Sequence, residues 1–258
     1  MPGDMAIIRA RGVAGFASDL PALRLRGMRT MILLSVLAMT TSCGGGGECY
    51  GDPPASDVPA DHVLRQPDAA AMKVVPPDSF DVRLETTEGD VVIRFVRDWS
   101  PFGVQRVYNL ARHGFYDGSR FFRVLPGFVA QFGVSGRPPL DSIWNEQKLL
   151  DDPQRQLNEG GTVAFAKTEE NTRTTQLFIT YRSNEGLDQG GFVPVGRVAD
   201  GMAVLYRLNS KYGDIPPQGS GPSFGCMLTH GNAYLDRRYP DLDRIERATV
   251  LEGAQMIP

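Results

Sequence analysis

From Phe80 onward the chain is cut into strand-length apolar segments by turn residues, and this constrains its fold more than any other feature. Phe80, Val82 and Leu84 alternate with polar residues, the period of a half-buried strand. Glu88-Gly89-Asp90 supplies a turn, and Val91 to Phe95 is a second run rich in β-formers, so the pair reads as a hairpin. Further short runs follow at Phe121–Leu125, Phe128–Phe132, Thr162–Ala166, Leu177–Tyr181 and Phe192–Val198, with a last one near Ala248–Leu251. Two stretches carry helical spacing instead. Ser100 is placed as an N-cap with Pro101 in the first turn, Val104, Val107, Tyr108 and Ala111 share a face, and Gly114 can end the helix. Asp200–Leu208 reads as a second helix, capped by Asp200. The region from Gly219 to Asn232 reads as a loop. Many antiparallel strands and two isolated helices predict a mainly β fold: a closed antiparallel barrel of about eight strands capped by two α-helices.

The first 42 residues are of a different kind. Met31–Met39 (MILLSVLAM) is preceded by Arg24, Arg26 and Arg29 and followed by Thr40, Thr41 and Ser42. A basic region, a short apolar run and a small-residue exit describe a secretory signal. The run is far below the roughly 20 apolar residues of a spanning helix. Thr-Thr-Ser-Cys resembles a bacterial lipobox, so Cys43 is the expected lipidation site and the only expected link to a membrane. A glycine tether, Gly44 to Gly47, follows it. Met28 also fits a start, and on that reading residues 1–27 are expected to be an over-extension of the reading frame. The expected location is outside the cytoplasm, as a lipid-anchored or a secreted soluble protein. Residues 43–78, with Pro53, Pro54, Pro59, Pro67, Pro76 and Pro77, read as a flexible linker ahead of a domain at 79–253.

Composition excludes several functions. The 258 residues hold 27 Lys and Arg against 30 Asp and Glu, a net charge of -3. Removing the five arginines and two aspartates of residues 1–42 takes it to -6. An acidic mature chain does not suit a general nucleic-acid binder. Three cysteines and three scattered histidines give no metal-ligand spacing, so no metal is expected. Cys49 and Cys226 can be free thiols or, in an oxidising compartment, a disulfide. Gly133-Val134-Ser135-Gly136 lacks the spacing of a nucleophile elbow, and the chain lacks a P-loop, a G-x-G-x-x-G and an H-E-x-x-H. Asp151-Asp152 and Glu169-Glu170 read as solvated turn pairs. An enzyme on this chain is therefore expected to work without those metal or nucleotide devices, and no cofactor is expected.

The informative stretch is Phe121-Phe122-Arg123-Val124-Leu125-Pro126-Gly127-Phe128-Val129-Ala130-Gln131. It places an arginine, an aromatic and an amide on strands joined by a Pro-Gly turn, with Val129 and Gln131 on one face. A second set lies at Ala166, Gln176 and Phe178, and a third at Leu187 and Phe192. An apolar floor with few polar groups suits a small apolar ring held beside a peptide bond.

These blocks resemble the cyclophilin family of peptidyl-prolyl cis-trans isomerases, and the third resembles a variant found in bacterial members. Phe121 to Gly133 is similar to the pattern F-H-R-V-I-P-G-F-M-x-Q-x-G, with Phe122 in place of His and Val129 in place of Met. Ala166, Asn171-Thr172 and Thr175-Gln176-Leu177-Phe178-Ile179 resemble the second block, and Gly191 to Val198 the third. The resemblance runs from about Phe80 to Leu251. It implies an isomerase acting on proline-containing polypeptides during folding of exported proteins, and a monomer is expected. It implies that Arg123 hydrogen-bonds the prolyl nitrogen and that Gln131 holds a substrate carbonyl. Phe128, Val129, Phe178, Leu187 and Phe192 then form the proline pocket beside Ala166. Backbone near Lys167 pairs with the substrate chain, and Gln176 lines the neighbouring groove. The same barrel can instead serve as a non-catalytic binding module. Lys167 stands where many members have Asn, Glu169-Glu170 replaces Gly-Pro, and Phe192 replaces a histidine. Gly186 falls where some members carry the tryptophan that helps bind cyclosporin, so the resemblance does not extend to that contact.

Overall fold

The computed structural model describes Cys49 and residues 58–253. Residues 1–48 lie outside that range, and with them the export segment, Cys43 and the glycine tether. Among the described residues no helix is long and apolar enough to cross a membrane.

Eight antiparallel strands form one sheet: β1 (Ser79–Thr86), β2 (Gly89–Val96), β3 (Arg123–Leu125), β4 (Val129–Phe132), β5 (Thr162–Phe165), β6 (Leu177–Thr180), β7 (Pro194–Asp200) and β8 (Ile245–Leu251). Their spatial order is β3-β4-β6-β5-β7-β2-β1-β8. The expected hairpin is β1–β2, in register from Ser79 opposite Val96 to Thr86 opposite Gly89. The sheet curls until its ends meet. Arg120, just before β3, bridges Arg244, just before β8. Phe121 N–H donates to Asp243 O (2.9 Å) and Ile245 N–H to Ser119 O (2.8 Å). Closure is thus a short bridge, not a full ladder between β3 and β8.

The inside of the curl is the main core. Phe80, Val82, Leu84, Ile93, Phe95, Phe132, Phe165, Leu177 and Ile179 meet there, with helix α1 (Pro101–Arg112) across one end through Val104, Val107 and Leu110. The void left inside is about 10 Å³, lined by Val82, Phe95, Tyr116 and Phe132 among others. That is too small for a ligand, so any binding face lies outside the sheet.

Helices differ from expectation in number and place. The reading of two helices gives way to five among the described residues. Besides α1 there are α2 (Pro138–Asn145), α3 (Glu185–Gln189), α4 (Met202–Leu205) and α5 (Phe224–Arg238). The second expected helix shrinks to α4, because Asp200 still belongs to β7 and Gly201 turns the chain at φ 89°. The expected loop over 219–232 contains most of α5. Its apolar period is interrupted by Gly225 and Gly231, which hid it. Gly231 has φ 55° and kinks the helix. A Cβ there would lie 2.1 Å from Gly136 O, so only glycine permits this approach. Beyond the kink, Asn232 N–H donates to Gly136 O (2.9 Å) and its Nδ2 to Gly118 O (3.0 Å). Cys226 on α5 is bonded to Cys49, with Cα atoms 5.4 Å apart.

Two further readings are corrected. The segment expected as flexible linker is packed from Val58 on. Val58, Leu64 and Met72 are buried in the main core, and Trp144 Nε1 donates to Leu64 O (2.8 Å). Its prolines break periodicity without preventing burial of single apolar side chains. Ser100 precedes α1 as expected, but its side chain does not cap the helix. Asp152 does so from a distant loop, accepting from Phe102 N–H (3.0 Å) and Gly103 N–H (3.1 Å) while Ser100 Oγ donates to it. Asp152 is therefore buried, not a solvated turn residue. Its countercharge is Arg173, also buried, with Nη2 2.9 Å from Asp152 Oδ2. Arg173 also donates from Nη1 to Ser100 Oγ (3.2 Å) and from Nη2 to Leu150 O, and its Nε lies 3.0 Å from Asp151 Oδ1.

Two predictions follow from these buried charges. Arg173→Ala leaves Asp152 buried and unpaired, and urea titration should show a loss of about 3–5 kcal/mol of stability. The second concerns Asp141 in the first turn of α2. Burial pushes its carboxyl up to about 6, against the opposing pull of its hydrogen bonds to Ser135 and of Arg137. The native state keeps this proton between pH 4 and 6, where the unfolded chain, at 3.8, has released it. Its contribution to stability therefore falls as pH rises through that window, by on the order of 3 kcal/mol. In Asp141→Asn, urea titrations from pH 4 to 7 should show that part of the slope gone.

Candidate active site

Alternation along three central strands splits the sheet into two chemically different faces. Ala130 and Phe132 of β4, Val163 and Phe165 of β5, and Leu177 and Ile179 of β6 point into the main core. Their neighbours Val129, Ala164 and Phe178 form a separate buried cluster with Leu187, and Phe128, Ala166 and Phe192 pack against it. This second cluster lies on the outer face and explains why β4, β5 and β6 are buried along their whole length.

The cluster is completed from α3 and the loop after it. Asn184 caps this short helix by accepting from Gly186 N–H (3.0 Å). Phe192 N–H then folds back onto Leu187 O (3.0 Å), which brings both side chains to the outer face. Asn158 Nδ2 pins the loop by donating to Phe192 O (2.7 Å) and Asp188 Oδ1 (2.8 Å). The Phe178 and Phe192 rings meet edge-on, centroids 5.6 Å apart.

A polar row runs beside this apolar patch. Arg123 is the direct partner of Gln131 across β3 and β4, and Gln131 of Phe178 across β4 and β6. Arg123 Nη1 donates to Gln131 Oε1 (3.3 Å), and Gln131 Nε2 to Gln176 Oε1 (3.0 Å). The guanidinium carbon sits 5.8 Å from the Phe128 ring centroid, so the charge borders the apolar floor. At the far rim, Lys167 Nζ lies 5.9 Å from the Phe192 ring centroid and 2.7 Å from Asp151 Oδ2. The last sheet rung on this edge is Ala166 N–H to Gln176 O (3.0 Å), and the Lys167 backbone lies just beyond it. Partial burial works against the Asp151 charge, but Lys167, Asn171 N–H and Arg173 outweigh it and hold the carboxyl below its usual range.

All ten residues singled out between Arg123 and Phe192 thus gather on one face, although 69 positions separate the first from the last. Three participants were not foreseen. Ala164 follows from Ala166 by the strand period of two. Asp151 was read as solvent-facing. Asp214 carries no local signal at all: it pairs with Arg123 from 91 positions away, Nε to Oδ1 at 2.6 Å and Nη2 to Oδ2 at 3.1 Å. Partial burial opposes its ionisation, but Arg123 and the Ile215 N–H prevail and set it below the usual carboxylate range.

A cleft of about 220 Å³ lined by Met72, Phe102, Arg106 and Trp144 shares no residue with this face. Arg106 spends its Nη1 on Gln147 O (2.7 Å) and Thr174 O (3.1 Å), which is a structural use. Among the described residues no group of His, Cys, Asp and Glu is placed to hold a metal.

An apolar patch flanked by a fixed guanidinium and two amides suits a compact apolar ring held next to a peptide group. The family described as cyclophilin type peptidyl-prolyl cis-trans isomerase/CLD matches residues 81–220, and the chain belongs to it. The peptidyl-prolyl cis-trans isomerase ppi1 of Schizosaccharomyces pombe is 35% identical over 133 residues, covering 50% of this chain and 84% of that one. The peptidyl-prolyl cis-trans isomerase A of Dickeya dadantii is 29% identical, covering 51% and 72%. Relatives are therefore found in eukaryotes and bacteria alike. A crystal structure of a Cryptosporidium parvum cyclophilin type peptidyl-prolyl cis-trans isomerase covers 68% of this chain and 99% of that one, at 19% identity and a TM-score of 0.49.

Proposed function

We propose that this chain accelerates rotation about Xaa-Pro peptide bonds, and that it does so on exported proteins while they fold. The observation that carries the catalytic part is the Arg123–Gln131–Gln176 row beside the Phe128, Val129, Phe178, Leu187 and Phe192 patch.

A prolyl amide is planar through resonance, and turning it costs about 18–20 kcal/mol. In the twisted transition state the nitrogen regains a lone pair. A guanidinium donor held next to it stabilises that lone pair and touches the planar ground state only weakly, which is differential binding. Arginine suits the task because it stays charged and presents its donors in a rigid fork. The apolar patch takes the pyrrolidine ring, and its low polarity favours the less charge-separated twisted amide. Gln131 holds a substrate carbonyl, and the Lys167 backbone extends the chain pairing past the last rung of β5 and β6. No bond is broken, so the residues need only bind, orient and stabilise.

Export is supported by the basic and apolar run ending at Cys43 and by the Cys49–Cys226 disulfide, a bond that persists in oxidising compartments. Unaided prolyl isomerisation takes tens to hundreds of seconds, slow enough to limit folding there. A second reading, a proline-segment binding module without turnover, is favoured by the changed groove rim, where Lys167 is paired with Asp151.

Isomerisation of a short proline peptide separates the two. Wild type should accelerate it, and Arg123→Ala should lose about 10²–10³-fold. Equal rates in both variants overturn the catalytic assignment, and binding without acceleration supports the second reading. For the anchor, Cys43→Ser should move the protein from the membrane to the soluble fraction of its host. An unchanged membrane fraction removes the lipid anchor from the proposal.

A further inference from the structure

We propose that Asp214 is a positioning residue of the isomerase reaction: it locks the Arg123 guanidinium in one orientation and so fixes which of its N–H groups meet the substrate. This rests on the isomerase reading of the site.

The pairing is fork to fork, with Asp214 Oδ1 on Nε and Oδ2 on Nη2. Gln131 Oε1 takes one hydrogen of Nη1. A guanidinium has five N–H groups, so three are committed and one remains on each terminal nitrogen. An arginine held at three corners has lost its rotamer freedom before the substrate arrives. The entropy of ordering it is then not charged to the transition state.

The loop that carries Asp214 is built around it. Its Oδ1 also accepts from Ile215 N–H (2.8 Å), and its carbonyl accepts from Gly221 N–H (2.9 Å). A Cβ at position 219 would lie 2.3 Å from that same carbonyl oxygen, and one at 221 would lie 2.8 Å from it. Side chains are thus excluded at both positions so that the loop can close on Asp214. Ile215 packs against the buried cluster that contains Phe122, the neighbour of Arg123 on the chain. Arginine and carboxylate are therefore anchored by adjacent residues to one piece of core, which keeps their separation constant.

The test is a kinetic cycle with a proline peptide. Asp214→Asn keeps the shape but puts an N–H2 where the arginine fork needs an acceptor. We expect kcat to fall at least about ten-fold with KM within two-fold of wild type. In the Arg123→Ala background the same change should alter the residual rate less than two-fold. A role in folding alone would lower activity equally in both backgrounds, and that result overturns the proposal. So does an Asp214→Asn rate equal to or above that of an active wild type. A wild type without isomerase activity overturns instead the reading of function on which the proposal rests.

Discussion

Arg173 and Asp152 form the buried contact on which the remaining geometry rests. Asp152 supplies the N-terminal cap of α1 from a loop about 50 positions away, and Arg173 neutralises it while holding Ser100 and Leu150. Burying two charges gains little by itself, since desolvation offsets most of their attraction. Its value here is register. The pair ties the start of α1, the loop at 147–152 and the loop at 166–176 to one point. The last of these loops carries Ala166, Lys167 and Gln176, which border the candidate site.

A sheet buried on both faces is the second consequence. The inner face of β4, β5 and β6 closes the main core, and the outer face needs its own cover. Leu187 and Phe192 supply part of it and leave Arg123 and Gln131 beside the apolar patch. The site is thus the incompletely covered outer side of the same strands that form the core. Each strand residue serves one face or the other according to its parity along the chain, so a one-residue slip would exchange the two.

The strands were legible because alternation and β-formers are local signals. The pocket residues were legible in a different way. Arg123, Phe128 and Phe178 each have an ordinary structural role available, and only their order along the chain resembles a known family. The misses have physical causes. Helix α5 was hidden because its apolar period is broken by a kink that exists only where Gly231 touches Gly136. The residues from Val58 to Met72 bury only scattered apolar side chains, which leaves no period to read. Ser100 looked like a cap, but its hydroxyl serves Asp152 instead.

The sequence by itself determined the strand segments, the first helix, the family resemblance and the residues that line the outer face. These depend on spacing of two or 3.6 and on short ordered blocks, both of which are written along the chain. Only the tertiary structure decided that Asp152 caps α1, that Cys49 bonds Cys226 and that Asp214 grips Arg123. Those contacts join positions 50, 177 and 91 residues apart. Charge and hydrogen bonding are decided by which groups desolvate together, and that is set by how the sheet curls and the loops close.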